Sequence, residues 1–267
     1  MENKTRLVPP LVLLTLLAGC AGLPRDQVQT ELPDDCPKLS AASLVEEQNR
    51  LGPLTDTPTL TCARIVLRNS QDPAVLSTSL ASRLSLLLAE REMDQNQREK
   101  LAAEGVGFAE AALQQGGRGD GAVHYYLAAN LGLSVREHMT QAMGSLGRLE
   151  DEMKQAVALS PDIDSGGPLR LLGMLYLKAP AWPNGIGDLD KALELLEKAA
   201  KEHPGHPLNH LFYAQALWAD GDEANLTQIK AELAQAEKFL DEGDWGYNTK
   251  PWKNEFAEFA QEFQQAD

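Results

Sequence analysis

The sequence predicts an all-α protein built as a stack of helical hairpins, and three observations carry that reading. Apolar residues recur at helical spacing through most of the chain, segments of this kind repeat at a near-constant offset, and period-2 runs rich in β-branched residues are missing.

The elements follow in chain order. Lys4 and Arg6 precede an apolar run, Leu7 to Leu17, that is shorter than the ~20 residues of a spanning helix, so residues 1–19 read as a signal peptide. The run ends in Leu17-Ala18-Gly19-Cys20, which resembles the lipobox of bacterial lipoproteins. That resemblance implies lipidation at Cys20. With Ala21 and no Asp following, it also implies an anchor in the outer membrane, facing the periplasm. Residues 20–37 are polar, rich in proline and without period, as a flexible tether would be. Setting Cys20 aside leaves an even pair, Cys36 and Cys62, which predicts a disulfide in an oxidising compartment, two free buried thiols being the alternative.

Residues 38–267 form the expected helical domain. Leu76, Leu80, Leu84 and Leu87 mark a helix over roughly Pro73 to Arg91, and Leu101, Gly105, Phe108 and Ala112 mark the next. A long stripe runs Val135, Met139, Ala142, Leu146, Leu149, Met153, Ala156. Further stripes are Leu169-Leu172-Tyr176, Leu189-Leu193-Leu196-Ala200 and Leu226-Ile229-Leu233-Ala236-Leu240. Trp252, Phe256, Phe259 and Phe263 give the last helix an aromatic face suited to cap the stack.

Repetition separates a solenoid from a bundle. "KQAVALSP" and "EKAAKEHP" are matching helix ends stopped by proline, and Ala128, Gly173 and Ala214 hold a matching small-residue position on the partner helices. A small residue there lets two helices approach closely. The repeat is longer than the roughly 34 residues of a standard tetratricopeptide unit, and the chain accommodates about four to five such hairpins. The fold class is therefore a tetratricopeptide-like solenoid with a C-terminal capping helix. In the best unit Asp188 is the expected N-cap of an arm that ends at Pro204-Gly205.

Between the arms of that unit lies "KAPAWPNGIGDLDKA". Pro180 and Pro183 cannot continue the first helix, and Gly185 and Gly187 let the chain turn back. Trp182 is thereby expected at the rim, packing beside Tyr176 and lining a groove, or else plugging the open end of the hairpin. Tyr125 and Tyr126, ahead of Asn130, are the other candidates for ligand contact, because an aromatic face with a polar tip suits a mostly apolar pocket. Core packing is the alternative for both.

The stretch from Gly166 to Pro207 resembles the TatT family, tetratricopeptide-like lipoproteins associated with tripartite ATP-independent periplasmic (TRAP) transporters. The likeness rests on Gly166-Gly167-Pro168, Arg170, Leu172-Gly173, Pro180, Trp182-Pro183, Gly187-Asp188 and Lys191-Ala192. It implies a periplasmic partner of the transporter's solute-binding protein that also holds a ligand. Arg170, Tyr176 and Trp182 would serve that role. A scaffold lipoprotein for envelope protein assembly is the alternative, and self-association is left open.

Catalytic sets are missing from the sequence. His203, His206 and His210 are interrupted by Pro204 and Pro207, "GGRGDG" lacks the Lys-Ser/Thr of a phosphate loop, and "GSLG" lies on a helical stripe, so neither enzyme activity, cofactor nor metal is expected. The net charge of −15 argues against nucleic-acid binding, since nothing offsets the repulsion from phosphates.

Overall fold

The computed structural model describes residues 29–71 and 74–266, and Cys20 and the leader lie outside them. The described residues form helices without a strand; the only bridge joins Ala181 and Gly187. In order the helices are α1 (Ala41–Glu46), α2 (Thr57–Arg68), α3 (Val75–Arg91), α4 (Gln95–Gln114), α5 (Gly121–Val135) and α6 (Met139–Leu159). Then come α7 (Gly167–Lys178), α8 (Leu189–Glu202), α9 (Pro207–Asp220), α10 (Leu226–Glu242) and α11 (Thr249–Ala266).

Each odd helix from α3 to α9 pairs with the even helix after it, giving four hairpins, with α1 and α2 packed on α3 and α11 packed on α9 and α10. Odd helices also touch the next odd helix, α3 to α5, α5 to α7, α7 to α9 and α9 to α11. They form the inner layer of a solenoid and the even helices the outer layer. Gly173 fits this packing, because a methyl there would overlap Leu196 of α8. The expected cap is present: Phe259 and Phe263 are buried in one cluster with Leu211, Leu217 and Ile229, and Trp252 and Phe256 pack against it.

Local signals work as the sequence indicates. Asp188 accepts a hydrogen bond from the Lys191 amide at 3.1 Å and caps α8. The long stripe from Val135 to Ala156 is a correction, since it crosses the turn between α5 and α6 at Arg136–His138 and Met139 is 77% exposed. Val135 and Leu149 are both buried although they sit on opposite arms, so the apolar spacing continues through the turn by coincidence.

The N-terminal end of the stack is tied down. Cys36 and Cys62 form a disulfide with Cα atoms 5.7 Å apart. Buried Arg64 pairs with Glu104 of α4 and donates to the Gln29 carbonyl at 2.6 Å. Residues 29–36 of the expected tether thus lie fastened to α2.

Two hairpins repeat one polar clamp. His124 Nδ1 lies 2.6 Å from Glu152, and its Nε2 3.0 Å from the Arg118 carbonyl. His210 Nδ1 lies 2.6 Å from Glu232, and its Nε2 2.7 Å from the Pro204 carbonyl. In both, an inner-helix histidine grips the outer helix and the turn preceding its own helix.

Two outcomes follow. Replacing both Cys36 and Cys62 by Ala should lower unfolding stability by about 3 kcal/mol in denaturant titration. Burial disfavours charge on His210, but the hydrogen bonds to Glu232 and Pro204 and the charge of Glu232 outweigh it, so its pKa is raised. The folded state then holds the proton more tightly than the unfolded chain. The added stability is present below about pH 6.5 and lost as pH rises through the raised value. Glu232→Gln should flatten that decline when stability is measured from pH 5.5 to 8.5.

Candidate binding face

The site is built where the inner helices converge. The loop before α7 places Asp164, Ser165 and Gly166 successively at positive φ, 52°, 50° and 83°. For Asp164 and Ser165 this is strained backbone, of the order of 1 kcal/mol or more each, and it persists only if the surroundings hold it. They do. Arg170 donates to Asp164 at 2.8 Å and to Asn209 of α9 at 2.8 Å, the Asn209 amide donates to the Ser165 carbonyl at 3.0 Å, and the Tyr125 hydroxyl donates to Asp164 at 3.0 Å.

Glu90, in the last turn of α3, stands opposite. Asp164 raises its pKa while Arg170 and Arg91 lower it. Tyr126 is within electrostatic reach of Arg83, Asp164 and Glu90. The ends of α3 and of the α6–α7 loop and the start of α5 therefore face one another on the inner side. Glu90 is exposed, yet desolvation by the surrounding protein is the largest influence on it and pushes its carboxyl up to about 7. Burial pushes Tyr126 up to about 12, and Tyr125 is raised well above its usual value by burial and then by Asp164.

Next to Glu90, at Arg91, the segment between α10 and α11 meets the loop before α2. The Tyr247 amide donates to the Pro53 carbonyl at 3.3 Å, its hydroxyl donates to the Arg91 carbonyl at 3.0 Å, and the Arg91 guanidinium lies 5.1 Å from its ring centre. An open depression of about 510 Å³ runs along this seam, lined by Pro53, Leu54, Asp56, Arg91, Asp244 and Tyr247. Neither Glu90 nor Tyr126 is in its lining.

The residues singled out from sequence are placed unevenly. Tyr125 and Arg170 come together through Asp164, but both are buried, Tyr125 within the apolar cluster of Leu172 and Tyr176, and half-buried Tyr126 stands beside them with its ring centre 5.1 Å from that of Tyr125. Asn130 does not: it is fully buried and donates to the Ser82 carbonyl at 3.0 Å, filling the space that Gly105 leaves. Tyr176 is buried, with its hydroxyl on Glu150 at 2.7 Å and Lys191 over its ring; burial, then Glu150, raises its pKa. Trp182 is a correction, neither packing beside Tyr176 nor plugging the hairpin: it is 85% exposed. The loop closes without it, through Gly187 to Pro180 and Asp188 to Tyr176 backbone bonds of 2.8 and 3.1 Å, with the carbonyl of Pro180 filling the place a side chain on Gly185 would need.

The three clustered histidines have separate partners. His203 lies 3.3 Å from Asp162, His210 is clamped by Glu232, and His206 packs against Trp245 and Trp252. Burial, then Arg170, pushes His206 down to about 2, so it is neutral. Among the described residues no group of three or more His, Cys, Asp or Glu is placed to hold a metal ion.

Glu90, Asp164, Arg91 and Tyr247 escape sequence reasoning. Glu90 carries no signal, being one acid on the polar side of a helix. For Tyr247, the aromatic run "DWGYN" between two helices is the available sign. No protein-family model matches this chain, and no curated protein matches it either.

Glu90 supplies a test of this environment. Its raised pKa means that the folded state favours the neutral acid, so stability is full below about pH 4.5 and falls as pH rises through about 7. Glu90→Gln should match the parent near pH 4 and be the more stable protein at pH 8 in thermal unfolding.

Proposed function

We propose that this chain is a noncatalytic binding protein, a lipid-anchored lipoprotein facing the periplasm that works with a TRAP-type solute uptake system. It binds a ligand, the system's solute-binding protein, or both. The observation that carries this reading is the inner face of the hairpin stack, where Glu90 and Tyr126 stand and a strained loop is held in place around Asp164. Strain kept on the inner face fits a pre-organised binding surface better than it fits stability.

Two further features support it. Trp182 is held up by a self-bonded loop, and a rigid, exposed tryptophan is the kind of residue that dominates protein interfaces. The Cys36–Cys62 disulfide suits an oxidising compartment, as export would require. The resemblance of residues 166–207 to the TatT family supplies the transport system. Lipidation at Cys20 and the outer membrane location belong to the same proposal.

Affinity purification from the native envelope, followed by mass measurement of the gently isolated protein, tests this reading. A co-purifying solute-binding protein or a bound small molecule is expected, and recovery of envelope-assembly components instead would overturn it. Trp182→Ala should weaken binding of the recovered solute-binding protein at least tenfold, about 1.4 kcal/mol, with helicity unchanged.

A further inference from the structure

Successive hairpins are joined by buried apolar clusters. Leu60, Leu67, Leu80 and Leu84 join α2 to α3, and Ala109, Ala112, Val123 and Leu127 join α4 to α5. Tyr125, Met153, Leu172 and Ala192 lie in one cluster from α5 to α8, and Leu196, Leu211, Ile229 and Phe259 in one from α8 to α11. The seam between residues 244–248 and the α2–α3 end has no such cluster. Its polar contacts are the backbone bond to Pro53, the hydroxyl bond to Arg91 and the guanidinium over the ring, all made by Tyr247, which is itself 47% exposed, and beside it Gly246 lies close to Pro53 and Leu54.

The two sides of the seam are each firmly held. Arg91 is 7% exposed and donates to the carbonyls of Thr55, Gly52 and Pro53 at 2.6, 3.2 and 3.1 Å, which makes one rigid jaw. On the other side Trp245 donates from Nε1 to the Phe239 carbonyl at 2.8 Å and packs on His206 and Trp252, so its segment moves with α9, α10 and α11. Gly246, at φ 55°, lies against the Pro53 carbonyl, where any side chain would hold the jaws apart. A joint that rests on one partly exposed tyrosine and the glycine beside it, between two bodies with buried cores, is the place where such a stack separates first.

We propose that this seam is a latch: Tyr247, carried by the C-terminal hairpin, docks on Arg91 and Pro53 to close the stack into a ring, and its release opens the ring into an arc. Release leaves every hairpin core intact and widens the inner face on which Glu90 and Tyr126 stand. A molecule that contacts the arc better than the ring shifts the equilibrium toward the open form, and one that bridges the seam shifts it back. The latch does not depend on what the inner face holds, so it stands or falls apart from the proposed transport role.

Hydrogen exchange and small-angle scattering on the disulfide-intact chain test it, with Tyr247→Ala and Tyr247→Phe. In Tyr247→Ala, amides of residues 244–248 and 52–56 should exchange at least tenfold faster and the radius of gyration should rise, while α5 to α8 exchange as in the parent. Tyr247→Phe keeps the ring and the backbone bond and should give a smaller increase at the same residues. Unchanged exchange and size in Tyr247→Ala would overturn the proposal. Acceleration spread evenly over all helices, or a chain that no longer folds, would do the same, because Tyr247 would then belong to the common core.

Discussion

Arg170 is the interaction on which the arrangement depends. It is 3% exposed, and a buried guanidinium is tolerable only if its charge and donors are met. Asp164 meets the charge from the loop before α7, the Ser165 carbonyl takes a bond at 3.3 Å, and Asn209 accepts from α9. Since Tyr125 of α5 donates to the same Asp164, one buried cation fixes three consecutive inner helices at their N-terminal ends. Asn209 extends the tie, because its amide donates to the Ala199 and His203 carbonyls and so finishes α8. Apolar packing fills the hairpins, but it has no direction; this network sets how α5, α7 and α9 turn relative to one another.

Directional ties of the same kind recur where apolar contact alone would leave helices free to slide. The two His–Glu clamps hold α5 to α6 and α9 to α10 at matching points. In the α3–α5 contact a buried triangle does this work, with Ser82 donating to the Gly105 carbonyl at 2.8 Å and Asn130 donating to Ser82. Curvature is thereby specified hairpin by hairpin, and its accumulation brings Tyr247 back to Arg91 across 156 positions of sequence. The closing contact is a product of the geometry upstream, which is why it needs so little of its own.

What was legible in the sequence was local. The stripes of α4, α7, α8, α10 and α11, the Asp188 cap, the small residue at Gly173 and the Cys36–Cys62 pair all depend on short-range pattern or on compartment, and all appear as read. The turn at Arg136–His138 was illegible because neither glycine nor proline marks it and the apolar spacing runs on across it. Tyr176 and Asn130 were drawn into the site by residue type, while their burial is fixed by Lys191, Glu150 and Ser82, far away in sequence. Trp182 misled for the opposite reason. Tryptophan is usually buried, and only the backbone bonds that close its loop reveal that nothing is left for it to plug.

Glu90 separates what the fold requires from what it carries. Its carboxylate makes no ion pair or hydrogen bond among the described residues, Asp164 repels its charge, and desolvation opposes that charge too, so the folded chain would be better served at neutral pH by an uncharged residue there. The strained Asp164–Ser165 backbone is likewise dispensable to a hairpin stack, whose stability lies in the clusters behind it. Both unfavourable features fall on the inner face, whereas charges on α6 pair along their own helix or with α4 in water, as Lys154 with Glu150 and Arg148 with Glu110 do. Cost concentrated on one surface, beside aromatic side chains and behind a thin seam, is how a site differs physically from a scaffold.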